Sequence, residues 1–269
     1  GGTGSDEFPI KSSYQATLNG GMNAYAVKLQ SSGTELCYST YIGGSWLDSG
    51  RDVVANSNGC IFVTGGAWSD NFPVCNAYQS TFGGGGYLYP GDAFISKLDS
   101  SGSRILYSTY LGGLDGDGGL GIALDSIGQA YIAGHTRSRN FPTVNPYQAS
   151  YNEGTKDSFA TCISSSGSFL IYSTYIGGSA RDVGLNIALD SINSAYISGH
   201  TESMNFPTVN AYQSSYAGAI DAFVSKLKWE PTPTPTPISP IVTLECGDYD
   251  GDGTSEIAIF RPSVGSWRF

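Results

Sequence analysis

The stretch DAFISKLDSSGSRILYSTYLGG, residues 92–113, contains the pattern that decides the fold. DAFISKL and RILYSTYLGG alternate apolar and polar residues, and Ser-Ser-Gly lies between them. Period-two alternation bounded by small turn residues is typical of half-buried strands. GIALDS (121–126) and AYIAGHT (130–136) continue the pattern, so four strands are predicted here. Because Gly, Ser, Asn and Thr at this density disfavour helix, we expect an all-β fold.

The four-strand pattern recurs in tandem along the chain. Its clearest marker is a Phe-Pro pair, which begins at Phe8, Phe72, Phe141 and Phe206, at intervals of 64, 69 and 65 residues. The longest interval contains an additional loop, GGGGYLYPG, from Gly83. A fixed period of this length is typical of repeat architectures such as solenoids and propellers.

Four antiparallel strands per repeat are the composition of a β-propeller blade. The chain begins within a repeat, at GGTGSDEFPIKSSYQ, continues through three repeats and reaches a further first strand that ends at Trp229. This amounts to about thirteen strands, or a little over three blades, whereas propellers typically close with four to eight. We therefore expect a fragment of a longer array, a blade completed in trans by another copy, or sheets that do not close. An unpaired strand edge favours the first two, because such an edge invites another chain.

The repeat also carries a family resemblance. The segments DAFVSKL, LIYSTYIGG, IALDS, GHT and NFPT resemble the bacterial β-propeller repeat known as SBBP, over about residues 1–228. The resemblance implies a secreted or surface-displayed β-propeller module with no defined activity. We assign residues 1–229 to this repeat domain.

A Pro/Thr-rich segment, EPTPTPTPISP at 230–240, follows the repeats. Proline at alternating positions favours an extended polyproline II path, so 231–237 should span roughly 20 Å as a semi-rigid linker. Such stalks are often O-glycosylated, and an unmodified spacer is the alternative interpretation. The candidate acceptors are Thr232, Thr234 and Thr236.

The last segment, 241–269, contains the clearest metal-binding pattern, GDYDGDGTSEIAIFRPS. Alternating carboxylates around a glycine turn are hard oxygen ligands of the kind that bind Ca²⁺. The position where an EF-hand has glutamate is Ile259, within an apparent strand, so we expect a calcium loop on a β-hairpin. The segment resembles one FG-GAP or VCBS repeat; a solvated acidic turn without metal is the alternative. The candidate ligands are Asp248, Asp250, Asp252, Thr254 and Glu256.

The repeat positions of several polar residues indicate structural roles. Asp48, Asp117 and Asp182 occupy the same position after each Gly-Gly pair, where a carboxylate that accepts backbone N–H groups in a tight turn explains them without a metal. His135 and His200 share another repeat position, which is glycine in the other copies. The remaining charged residues are interpreted as scattered over loops, and no nucleophile and base are suggested by spacing. We therefore expect a protein that is not an enzyme. The charged residues outside the repeat pattern include Arg137, Arg139, Glu153, Lys156 and Glu202.

Composition favours an extracellular protein. Only 13% of the residues are charged and the formal net charge is −10, which disfavours nucleic-acid binding. No apolar run approaches the ~20 residues of a membrane span, and the chain lacks an initiator Met, as a mature or trimmed chain would. The five cysteines do not form a repeating ladder. Cys37 and Cys75 replace apolar residues and are predicted core positions; if one disulfide exists, we expect it between Cys37 and Cys60.

These features predict a structural extracellular protein that self-associates head-to-tail into a filament through strand or blade completion and the C-terminal segment. Its partners are then other copies of itself, and its cofactor is one Ca²⁺. The alternative is a surface adhesin that binds glycans on a propeller face or on the loop that contains Tyr87 and Tyr89. A propeller hydrolase would need carboxylates that converge on one face, and the sequence suggests none.

Deletion of residues 241–269 should abolish polymers, because the calcium-loop segment is predicted to dock on a neighbouring copy. Chelation of Ca²⁺ should have the same effect on the full chain. Electron micrographs with calcium, after chelation and after the deletion measure this. Unchanged polymers in the deletion variant would contradict the assigned role of the segment.

Overall fold

The computed structural model describes residues 1–84 and 91–228 in full, and the backbone of 259–261 and 266–268. By its internal contacts the chain divides into two units, Gly1–Lys228 and Trp229–Phe269. In the second unit, β15 (Ile259–Arg261) and β16 (Ser266–Arg268) form an antiparallel pair. Nothing further is described for this unit.

The described part of the first unit consists of strands and loops without helix. Most strands are seven or eight residues long, whereas the first has two. Within the described residues, no helix is long and apolar enough to cross a membrane. The strands are β1 (Gly2–Thr3), β2 (Asn23–Leu29), β3 (Leu36–Ile42), β4 (Asp48–Ala55), β5 (Ile61–Ala67), β6 (Asp92–Leu98), β7 (Ile105–Leu111), β8 (Asp117–Leu124), β9 (Ala130–Thr136), β10 (Asp157–Ile163), β11 (Leu170–Ile176), β12 (Asp182–Leu189), β13 (Ala195–Thr201) and β14 (Asp221–Leu227).

These strands form four antiparallel sheets in tandem, which confirms the all-β class and the four-stranded unit. Sheet 1 is β1-β2-β3, sheet 2 is β4-β5-β6-β7, sheet 3 is β8-β9-β10-β11 and sheet 4 is β12-β13-β14. Sheets 2 and 3 contain four strands each. By sequence position, sheet 1 holds the second, third and fourth strands of this unit, and sheet 4 holds the first, second and third.

The grouping of strands into sheets differs from the predicted repeat boundaries. Each sheet joins the last two strands of one sequence repeat to the first two of the next, and the Gly-Gly pair marks the crossing between sheets. The third strand of the sequence pattern also begins earlier than predicted, at Asp117 rather than Gly121. Two glycines, Gly118 and Gly119, concealed the alternation in this part of the strand, which continues through a register shift between Gly119 and Gly121.

The repeated Phe-Pro segment lies in the loop between the second and third strands of a sheet, and it holds this loop against the fourth strand. In sheet 3, the Tyr175 hydroxyl donates to the Ser138 carbonyl at 2.8 Å and accepts from the Phe141 N–H at 3.0 Å. The Phe141 ring packs against Phe159 with centroids 4.6 Å apart. Sheet 2 repeats this arrangement with Tyr110 and Phe72. The Phe-Pro segment recurs in the sequence because the same hydrogen bonds and ring contacts recur in successive sheets.

Apolar side chains fill the spaces between successive sheets. One cluster lies between sheets 1 and 2, a second between sheets 2 and 3, and a third between sheets 3 and 4. The close approach of sheets 3 and 4 requires glycine at Gly121, where a Cβ atom would lie 2.7 Å from the Asn186 Cα. The first strands β4, β8 and β12 therefore lie side by side along the array.

The predicted Cys37–Cys60 disulfide is wrong, because both side chains are free thiols. Cys37 lies on β3 at the outer edge of sheet 1, whereas Cys60 precedes β5 in sheet 2. Cys75 is exposed rather than a core residue, because its loop passes over the outside of strand β7. Cys37 is half-buried and packs against the first apolar cluster. Cys246 lies outside the described residues.

Tyr175→Phe should lower the free energy of unfolding by about 1–3 kcal/mol, because it removes a buried hydroxyl that serves two backbone groups. Tyr147→Phe is the matched control, since Tyr147 is 60% exposed. Urea unfolding of both variants measures the effect. Equal free energies of unfolding for the two variants would show that the Tyr175 hydroxyl bonds do not contribute to stability.

Candidate functional site

Several residues predicted to carry function lie outside the described residues. They include the complete calcium-loop set, the linker threonines and the two tyrosines of the additional loop. Their assignments therefore stay predictions. These residues are Asp248, Asp250, Asp252, Thr254, Glu256, Thr232, Thr234, Thr236, Tyr87 and Tyr89.

The repeated aspartates join three segments at the start of each first strand. The Asp117 carboxylate accepts the Gly113 N–H at 2.7 Å and the Ser138 hydroxyl at 2.8 Å. Asp48 makes the equivalent bonds with Gly44 and Ser69, and Asp182 does so in sheet 4. Each aspartate is the first residue of a strand rather than part of the predicted turn. The carboxylate thus holds the Gly-Gly crossing against the end of the second strand.

A second buried carboxylate, absent from the predicted site residues, lies beside the first. The Asp92 carboxylate accepts from the Gln79 side chain at 2.9 Å and from the Gly83 N–H at 2.8 Å. A Cβ atom on Gly112 would lie 2.6 Å from Asp92 and 2.7 Å from Asp117, so the two carboxylates flank this glycine. Asp157 and Asp182 flank Gly177 in the same way. The sequence does indicate this second position, because the third strand of each sheet begins with Asp or Asn.

Burial changes the proton affinity of these carboxyl groups. It raises the pKa of Asp117 to about 7, against hydrogen bonds that lower it, and the nearby Asp92 charge raises it further. Burial also raises the pKa of Asp157 to about 7 and that of Asp92 to about 6. Within the described residues, no three His, Cys, Asp or Glu side chains form a group that could hold a metal ion.

The structure brings together charged residues that the sequence analysis placed on scattered loops. Arg137, Lys156 and Arg181 lie at one end of sheets 3 and 4, and Arg181 forms an ion pair with Glu202 at 3.3 Å. Burial and then these cations lower the pKa of His135 to about 3, so its imidazole is neutral. The cluster was missed because its members follow or precede strands of different repeats.

Sheet 4 exposes a face that sheets 2 and 3 bury. Val224 on β14 is 74% exposed, whereas Ile95 and Ala160, at the same position of β6 and β10, are fully buried. The equivalent residues of sheets 2 and 3 contact the following sheet. We call this the end face of sheet 4, and its other exposed members are Asn186, Ala188, Ser198, Ala222 and Lys226.

The opposite end of the array is also exposed. Val53 on β4 is 57% exposed, whereas Ile122 and Ile187, at the same position of β8 and β12, are each 5% exposed. Leu29 on β2 is 54% exposed, and its counterpart Leu98 is fully buried. Within the described residues, sheet 4 packs extensively against sheet 3 and not against sheet 1, so the array is open.

A groove of about 830 Å³ runs along the outer edge of sheet 4. Strand β14 forms one wall, and the Phe-Pro segment 206–216 forms the other. In sheets 2 and 3 the fourth strand lies between the equivalent walls and pairs with both of them. Among the described strands, β14 pairs with β13 alone.

In comparisons with known proteins, no protein-family model matches the chain, and no curated protein matches it. The class that the fold defines is therefore an all-β tandem repeat of four-stranded antiparallel sheets, and the resemblance to SBBP and FG-GAP repeats stays a prediction.

Stability should fall as the pH rises from about 4 to about 7. The pKa of Asp117 is raised to about 7 in the folded protein, whereas an unfolded aspartate has a pKa of about 3.9. The folded state therefore keeps a proton that the unfolded chain has released, and this contribution is complete below pH 4 and lost near pH 7. Melting temperatures measured across this range report it.

Asp117→Asn should reduce the slope of that pH profile without removing it, because Asp92 and Asp157 also have raised pKa values in this range. A slope equal to that of the wild type would contradict the contribution of Asp117.

Proposed function

We propose that this chain is a non-enzymatic structural protein that self-associates head-to-tail, with each sheet acting as the blade of an open, propeller-like array. The single observation that carries the proposal is the contrast in burial at one repeat position. The side chain there is fully buried in sheets 2 and 3, and it is 74% exposed at Val224 in sheet 4.

The two exposed ends are complementary because they belong to the same repeat. The end face of sheet 4 corresponds to surfaces that contact a following sheet elsewhere in the array. The exposed Val53 and Leu29 correspond to residues that contact a preceding sheet. Two different patches that meet form a heterologous contact, which generates a ring or an open filament. Full burial of one Val or Leu side chain contributes about 1.5–3 kcal/mol.

An extracellular location fits this proposal. A low content of charged residues, the Thr/Pro-rich linker and the resemblance to surface-displayed repeats all favour it. We further propose that the Asp248–Glu256 loop binds one Ca²⁺ and that the linker threonines are acceptors of O-linked sugar.

A second candidate function is glycan binding, which exposed tryptophans favour. Trp46 is 54% exposed and Trp68 is 43% exposed, and both lie at one end of sheet 2. Trp68 also lies against Gly91, at the end of the additional loop. Aromatic rings of this kind can stack on sugar faces. A glycan array with the wild type and with Trp46→Ala/Trp68→Ala tests this function, and no signal above background would exclude it.

Val224→Lys should weaken self-association by about tenfold or more, because it replaces an apolar contact worth about 1.5–3 kcal/mol with a charge. Ile192→Lys is the matched control, since Ile192 is 66% exposed in a turn outside the end face. Sedimentation velocity over a range of concentrations measures the assembly. Equal assembly of both variants, or a wild type that stays monomeric, would contradict the proposed function.

A further inference from the structure

The groove on sheet 4 already has the conformation that surrounds a strand elsewhere. Asn210 has φ of 50°, against 47° for Asn76 and 45° for Asn145 at the same position. The Phe206 and Phe223 rings lie 4.5 Å apart, against 4.6 Å for the equivalent pair in sheet 3. The groove is therefore formed before any strand enters it.

Polar groups in the groove match those that bind a fourth strand. In sheet 3 that strand contributes three hydroxyl groups in a row. Tyr175 bonds the Ser138 carbonyl and the Phe141 N–H, Thr174 bonds the backbone of Gln148, and Ser173 lies 2.8 Å from the Thr161 hydroxyl. The equivalent groups in sheet 4 are the Ser203 carbonyl, the Phe206 N–H, the Gln213 backbone and the Ser225 hydroxyl.

The sequence restricts what can supply these hydroxyl groups. Tyr-Ser-Thr-Tyr occurs three times in the chain, at 38–41, 107–110 and 172–175. The second and third copies are the fourth strands of complete sheets. The first copy is β3, at the outer edge of sheet 1, which has three described strands.

We propose that β3 (Leu36–Ile42) of a second copy inserts into the groove of sheet 4 and becomes its fourth strand. This inference rests on the proposed self-association and names the element that produces it. β3 would pair with β14 on one side and with the Phe-Pro segment on the other. It would leave both β2 and the segment 11–15 of its own chain, so the hydrogen bonds to those two walls would be replaced by the equivalent bonds in sheet 4. Addition of a strand from one chain to the exposed sheet edge of another is a known mode of protein association.

The connection that follows β3 explains the exposed ends of the array. In sheets 2 and 3 the fourth strand continues through Gly-Gly into the first strand of the next sheet. The same connection, Gly43 to Leu47, would place β4 of the second copy beside β12. Val53 would then pack as Ile122 and Ile187 do, and the end face that contains Val224 would be covered. One insertion accounts for the groove, for the exposed Val53 and for the end face of sheet 4.

A disulfide crosslink tests the register of this insertion in the full-length protein. Ser173 and Thr161 are directly opposite in sheet 3, as Ser108 and Ser96 are in sheet 2. Inserted β3 therefore places Ser39 of one copy opposite Ser225 of the other, at a separation compatible with a disulfide. Within one copy, Ser39 is opposite Val27 instead.

Ser39→Cys and Ser225→Cys proteins would be mixed at equal concentration and oxidised, with Ser39→Cys and Ser191→Cys as the control pair. Ser191 is an exposed residue of the turn after β12. The first mixture should give a disulfide-linked dimer at twice the monomer mass. The control mixture should not give this dimer. Each variant oxidised alone measures background from the native thiols.

Sedimentation of the same unoxidised samples separates the two proposals. Assembly together with the Ser39–Ser225 crosslink supports strand insertion. Assembly without that crosslink would overturn insertion and leave self-association standing. Monomers at every concentration would overturn both. A Val27→Cys/Ser39→Cys protein, whose internal disulfide would hold β3 on β2, should not assemble when oxidised; assembly equal to that of the wild type would overturn insertion.

Discussion

The fold depends on a buried carboxyl group at the start of the first strand in sheets 2, 3 and 4. Asp117 receives hydrogen bonds from the Gly-Gly crossing and from the serine after the second strand, and Asp48 and Asp182 do the same in their sheets. A buried N–H or hydroxyl group that lost this partner would cost about 1–3 kcal/mol. The carboxyl group therefore ties the segment that leaves one sheet to the first strand of the next.

The second repeated constraint acts at the outer edge of each sheet. A tyrosine hydroxyl on the fourth strand bonds to the Phe-Pro loop, and this contact holds the loop over the strand. Sheet 4 has the loop in the same conformation, while the position of the fourth strand is a groove. Identical local sequences thus have different environments at the ends of the array. This difference, rather than any unusual residue, identifies the surfaces proposed for assembly.

Sequence reasoning predicted most of the fold because period-two alternation and turn residues act locally. The strands 92–98 and 130–136 have the predicted bounds, and the loop positions around them follow from Ser-Ser-Gly turns. The start of β8 was missed, because Gly118 and Gly119 lack the side chains that make alternation visible. Only one of the two paired carboxylates was predicted as a site residue. Asp117 was identified from its repeat position, whereas Asp92 was assigned to a strand without a further role. Their proximity arises from the crossing between sheets, which no local pattern encodes.

The sequence by itself determined the all-β class, the tandem repeat, the strand identities and the candidate calcium loop, because these depend on residue type and short-range spacing. Only the tertiary structure decided which strands share a sheet, that two carboxylates flank one glycine, and that Arg137, Lys156 and Arg181 gather near His135. It also decided that equivalent residues are buried in the middle of the array and exposed at its ends. Burial depends on what lies across from a side chain, and that neighbour comes from a distant part of the chain or from another copy.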